Sequence, residues 1–194
     1  ILPWLSFQGM NTITLAGHIL QTYDEVFAEG CAVDVIGVGA GTADYLRKQR
    51  MPGLFDINVS WASSDPIKYA LLRDELWWRV REKCMYGYYS FPDVKVPGEV
   101  LTMGQELANE LSSPYYEFNR NGAVKVEGKK ERKKRGVASP NIADALCLTE
   151  YFYGFATKLF KNKKKKEEKN KHILPASMIH STRKVVGSDN WMVQ

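Results

Sequence analysis

Histidine, cysteine and long apolar runs are scarce in this 194-residue chain, and each scarcity removes a class of function. Its three histidines include none at metal-ligand spacing from a cysteine, which leaves no zinc-finger pattern. Cys31, Cys84 and Cys147 stand far apart, without a CxxC pair and in odd number. That usage suits buried thiols in a reducing compartment and excludes a disulfide framework. No apolar run reaches about 18 residues and no signal peptide is visible, so a cytoplasmic protein without a membrane role is expected. No internal repeat is present. What the chain does have is 44% hydrophobic and 12% aromatic residues, enough for one domain with a proper core.

The net charge of +5 is unevenly placed. Nine of the 27 Lys and Arg and three of the 22 Asp and Glu lie after residue 160, leaving −1 on residues 1–160 and +6 on the remainder. The basic balance therefore belongs to residues 161–194, where Lys161 to Lys171 holds seven Lys and two Glu without apolar periodicity. Such a run is expected to be a solvated, flexible tail. Global charge gives the body, residues 1–160, no reason to bind nucleic acid.

Periodicity orders the rest. Ile1 to Phe7, apolar and without a leading Met, reads as a strand entered in mid-course, with something upstream missing. Asn11 caps a helix over Thr12 to Phe27. Cys31 to Ile36 is a nearly continuous apolar strand of the kind buried on both faces. It runs through Gly37, Gly39 and Gly41 into a helix from Thr42 to Gln49. Phe55 to Val59 is a further strand, and Asp65-Pro66 opens an amphipathic helix reaching Cys84. A loop or short hairpin over residues 85–98 leads to a helix from Glu99 to Leu111. Tyr115 to Phe118 and Ala123 to Val126 form a hairpin, with Asn121-Gly122 supplying the positive φ angles of its turn. Lys129 to Arg135 is a basic loop. Ser139-Pro140 then starts a helix whose apolar side is Ile142, Leu146, Leu148 and Phe152.

Two carboxylates break these patterns. Asp34 lies within the apolar strand and Asp144 within the apolar helix, and each costs several kcal/mol there unless a cation, a donor or a proton offsets its charge. Two such carboxylates can share a divalent cation, and hard ions such as Mg²⁺ prefer carboxylate oxygens. The plainer alternative is that each pairs with an arginine or caps a turn. Lys129, Lys130, Arg132, Lys133, Lys134 and Arg135 set six cations against Glu131 just before the Asp144 helix, where they could hold a polyanion beside a metal site. The plainer alternative there is a solvated loop. The Gly37, Gly39, Gly41 stretch lacks the G-x-G-x-x-G spacing of dinucleotide sites, so a tight strand-to-helix turn is preferred. Trp77 and Trp78 read as packing residues.

Five blocks, in order, carry a resemblance: Val33-Asp34-Val35-Ile36-Gly37-Val38-Gly39-Ala40-Gly41 with Asp44 and Leu46; Glu75-Leu76-Trp77 with Arg79, Arg81 and Glu82; Glu110-Leu111-Ser112 with Pro114 and Tyr116; Val124-Lys125-Val126-Glu127 with Lys129 and Lys134-Arg135-Gly136; and Ser139-Pro140 with Ala143-Asp144-Ala145-Leu146. Over about residues 9 to 155 the chain resembles the C-terminal nuclease domain of tailed-phage terminase large subunits. The resemblance implies an α/β, RNase H-like fold, a mixed central sheet flanked by helices, with the first strand or strands missing from this chain. It implies a nuclease domain over 1–160 and a basic tail over 161–194.

It further implies Asp34 and Asp144 as metal ligands and catalytic residues of a two-metal Mg²⁺ or Mn²⁺ site, with Lys129 and Arg135 at basic positions beside it. The implied function is metal-dependent endonucleolytic cutting of double-stranded DNA concatemers during genome packaging in the bacterial cytoplasm. The implied partners are DNA, the terminase ATPase domain, the portal and the small terminase subunit. Two departures stand out. The family's first acidic ligand precedes the point at which this chain starts, and Asn141 stands where many relatives have Asp. The chain is therefore expected to be a C-terminal piece, from a split gene, a prophage remnant or a partial record, whose activity alone the resemblance does not imply; a DNA-binding or portal-docking fragment that does not cut is the alternative.

Overall fold

The computed structural model describes residues 1–152; the tail expected over 161–194 and the domain boundary expected at 160 lie outside them. Its class is α/β. In chain order the elements are α1 (Thr12–Glu25), β1 (Cys31–Asp34), α2 (Gly39–Lys48), β2 (Leu54–Ile57), α3 (Leu72–Met85), α4 (Met103–Ser112), β3 (Tyr116–Phe118), β4 (Val124–Val126), α5 (Lys129–Lys134) and α6 (residues 141–152). Strands β1 and β2 pair in parallel with Cys31 opposite Leu54, and β3 and β4 pair antiparallel with Tyr116 opposite Val126. Parallel and antiparallel pairing are thus both present, divided between two pairs; Tyr69 bridges to Val124 beside the hairpin. Among the described residues no helix is long and apolar enough to cross a membrane.

Alternation along the parallel pair explains the layering. Cys31, Val33 and Leu54 pack with Ala16, Leu46 and Met51 of the α1–α2 side. Ala32, Phe55 and Ile57 point the other way, toward Leu76, Val80, Leu107, Ala143 and Cys147. Successive side chains of a strand face opposite sides, so two short strands separate two cores. Gly39 is required where α2 starts: a Cβ there would collide with the Asp34 carbonyl oxygen. The glycine stretch is thus a tight strand-to-helix turn, with Gly37 at φ +76.

Several expected boundaries move, for identifiable reasons. Residues 1–11 form no strand; Pro3 has no N–H to give a ladder, and the segment is held by the packing of Trp4. The third helix starts at Leu72, not at Pro66, because the backbone of Lys68 and Ala70 is bonded to Val124 on β4. Asp74 then accepts from the N–H of Leu71, at 3.0 Å, and ties the helix start to β4 through the N–H of Val126, at 2.9 Å. Helix α4 starts at Met103, not Glu99, where Thr102 and Gln105 cap each other reciprocally. In the hairpin turn only Gly122 has positive φ. Gly122 N–H bonds to Asn119 O, and the Asn119 side chain accepts from the N–H groups of Asn121 and Ala123. The turn is built on Asn119, which sequence reading passed over.

Candidate metal and nucleic-acid site

Helix α6 brings Asp144 to its place. Ala143, Cys147 and Glu150 are its buried positions, with Pro140 buried just before it, while Ile142, Leu146 and Leu148 are half-buried flanks. The core-facing stripe is therefore rotated by about one residue from the expected one. Asp144 sits at the edge of the stripe and is half-buried rather than enclosed. Ser139 is exposed; the N-terminus of α6 is capped across the core by Glu110 of α4, whose Oε2 accepts from Ala143 N–H at 2.8 Å. A distant carboxylate thus satisfies a free helix-end N–H and favours the helix dipole.

Asp34 closes β1. Its carboxylate accepts from Ile36 N–H at 3.0 Å, an Asx turn that bends the chain into Gly37. Strand β1 is half-buried throughout, rather than enclosed on both faces, because it has one partner strand. Asp34 and Asp144, 110 positions apart, line one cavity of about 430 Å³. Arg73, Trp77, Lys129 and Asn141 line it as well. Trp77 Nε1 donates to one Asp144 oxygen at 3.0 Å, and Lys129 Nζ lies 3.1 Å from the other. The indole ring is core, as its spacing predicts, but its N–H serves the carboxylate; a buried tryptophan needs such an acceptor, and that need was the available signal.

The expected basic loop is a short helix whose cations separate by position. Lys129 faces Asp144. Arg132 is 2% exposed and donates to Ser113 Oγ and to the Ala138 carbonyl, so it holds the turn after α5 and does not face solvent. This corrects its expected place among DNA contacts. Arg135 is exposed but doubly bonded to Glu127, at 2.7 and 2.6 Å, and lies 3.9 Å over the Tyr115 ring. Lys130, Lys133 and Lys134 are exposed. Six positives in sequence thus become one at the cavity, one in the interior, one on a glutamate and three toward solvent.

Among the described residues no group of three or more His, Cys, Asp or Glu side chains is placed to hold a metal ion. The donor chemistry of the cavity still fits a hard divalent cation: two carboxylates and the Asn141 amide face it. Their number fits one ion that keeps water ligands better than it fits two.

No family model and no curated protein matches the chain. Solved structures similar to it are of the nuclease domain of the large terminase subunit gp2 of bacterial virus Sf6. A point mutant with manganese and beta-thujaplicinol is 24% identical, over 71% of this chain and 71% of that one, with a TM-score of 0.48. The mutant with manganese alone is 23% identical over 72% and 73% of the two chains, at 0.49. A form with calcium is 23% identical over 72% of each, at 0.49.

Proposed function

We propose that this chain is the nuclease part of a phage DNA-packaging terminase and that its cavity cleaves phosphodiester bonds of double-stranded DNA with the aid of a divalent cation. One observation carries the reading. Asp34 and Asp144, chosen in sequence because a carboxylate in an apolar strand or helix needs a counter-charge, meet at one cavity with a lysine beside them. Asp34, Asp144 and the Asn141 amide are the groups that would hold Mg²⁺ or Mn²⁺. The ion, when bound, lowers the pKa of a water and offsets charge on phosphate oxygens.

The chain's own groups do the remaining work. Trp77 fixes the orientation of the Asp144 carboxylate through its indole N–H. Lys129 holds positive charge at the cavity, to be shared between Asp144 and an incoming phosphate. Lys130, Lys133 and Lys134, on the exposed side of α5, hold the backbone of the duplex by charge alone and so contribute a salt-dependent attraction. Partners of this reading are the terminase ATPase domain, the portal and the small subunit, in the host cytoplasm. Titration calorimetry with Mn²⁺, together with nicking of a supercoiled plasmid, tests it. Binding by the native chain that Asp34→Asn and Asp144→Asn each remove, with nicking that follows the same pattern, supports the reading. A chain that binds no Mn²⁺, or mutants that bind it undiminished, overturns it.

A further inference from the structure

The β3–β4 hairpin has an unfinished face. Its register sets Tyr116 opposite Val126 and Phe118 opposite Val124, so these four side chains share one side. Val124 and Val126 are buried against α3, but Tyr116 is 50% and Phe118 65% exposed. The other side carries the Glu117–Lys125 ion pair at 2.8 Å and is an ordinary solvent face. The core-facing side thus continues past the edge of the core as an aromatic ledge. Trp78 backs it, with its ring 5.1 Å from Tyr116 and near-perpendicular at 79°, and Tyr116 meets Phe118 at 6.0 Å and 87°.

Cations rim the ledge. The Arg81 guanidinium lies 4.5 Å over Trp78, Arg135 lies 3.9 Å over Tyr115, and Arg120 is exposed in the hairpin turn. Of the nearby acids, Glu117 and Glu127 are paired with Lys125 and Arg135, while Glu131 is exposed beside Gly128. A separate groove of about 220 Å³, lined by Tyr115, Tyr116, Glu117, Lys125, Glu127 and Glu131, reaches Gly128, which also lines the cavity of Asp34 and Asp144. Exposed aromatic rings backed by Trp78 and its Arg81 guanidinium match the chemistry of a nucleic-acid strand, in which each base offers a π-face and each phosphate a charge.

We propose that Tyr116 and Phe118 form a stacking surface for unpaired bases at the end of the DNA strand that leaves the cavity. The route of the strand rests on the nuclease reading; the stacking does not, and its test needs neither metal nor cleavage. The probe is a fluorescein-labelled oligothymidylate bound by the native chain in EDTA at low salt, followed by anisotropy. Replacing both rings, as Tyr116→Ala with Phe118→Ala, is expected to weaken binding at least about tenfold, because each base–aromatic contact contributes on that order. Tyr116→Phe and Phe118→Tyr keep a π-face and are expected to stay within about twofold of the native chain. The double-alanine variant is expected to bind Mn²⁺ as the native chain does, so failure of the metal site and failure of the ledge are read separately.

Both ring positions are half-exposed or more, and an unchanged thermal midpoint is expected for the conservative variants. No oligonucleotide binding by the native chain, or binding indifferent to loss of both rings, overturns the proposal. So does a result in which the alanine variants change only a monomer–dimer equilibrium, since the ledge would then be a protein interface.

Discussion

Asp144 reaches the cavity from a helix whose cap, packing and ion pair all come from distant parts of the chain, whereas Asp34 reaches it from the end of a four-residue strand. Around Asp144 are Trp77, Lys129 and, through the helix end, Glu110. The Asp34 carboxylate accepts from a backbone N–H two residues on. Among the described residues, one carboxylate thus has its charge offset by a lysine, and the other accepts from a backbone N–H. Among the described residues, a cation entering the cavity competes with Lys129 at Asp144 and with the Ile36 N–H at Asp34. Asp34 should therefore affect ion affinity with little effect on stability, while Asp144 and its partners should affect both.

The largest predicted effect tests both sides together. Asp34→Asn and Asp144→Asn should each lower Mn²⁺ affinity and DNA nicking by about a hundredfold or more, roughly 2.7 kcal/mol, since a ligand charge is lost at nearly constant volume. Urea melts should separate them, with Asp34→Asn close to native and Asp144→Asn shifted because Lys129 loses its partner. Equal shifts in the two melts would show that the carboxylates are held alike.

Lys129 and Arg135 sharpen the contrast at intermediate size. Because Lys129 competes for Asp144, Lys129→Gln should raise Mn²⁺ affinity about threefold to tenfold while lowering nicking at low salt, when DNA loses a phosphate contact. Arg135 is spent on Glu127, whose carboxyl it holds below the usual glutamate range. Arg135→Gln should lower the thermal midpoint and leave Mn²⁺ affinity unchanged. Calorimetry on the two variants decides; a fall in affinity for Lys129→Gln would mean that the lysine organises the site and does not compete for it. Trp77→Phe removes the indole N–H together with part of a buried ring, so a loss of about 1–3 kcal/mol in urea melts is expected, with nicking reduced in proportion to the freedom Asp144 gains.

These contrasts also mark where the sequence was legible. Asp34 and Asp144 stood out because charge in an apolar period is a local anomaly, visible without knowing the neighbours. The α/β order and the hairpin were legible for the same reason: period and turn chemistry are local. Arg132 was not, since a basic run looks uniform until a helix turns one member inward toward Ser113 and Ala138. Neither was the start of α3, because the backbone of residues 68–70 is claimed by β4, more than 50 positions on. Glu110 resembles any helix-surface acid in sequence, and its role as the cap of α6 exists only after α4 and α6 pack.

Glu110 supplies the smallest effect and a way to test the Asp144 side without touching the cavity. Burial is the main influence on its carboxyl and raises its pKa; hydrogen bonds from the backbone of Ala143 and Ile142 oppose this, and the charges of Glu106 and Asp144 add to the rise. A carboxyl with a higher pKa folded than unfolded binds more protons in the folded state, so it favours folding below the usual glutamate pKa. That contribution is lost as pH rises through the folded value. Glu110→Gln keeps an acceptor for Ala143 but cannot titrate. Its stability relative to the native chain should therefore rise from about pH 4 to pH 7, whereas Glu110→Ala should lose about 1 kcal/mol at acid pH through the missing cap. Urea melts at the two pH values measure both. Parallel native and glutamine profiles would show that Glu110 is no more buried than a surface acid, and the placement of Asp144 would then rest on Trp77 and Lys129 alone.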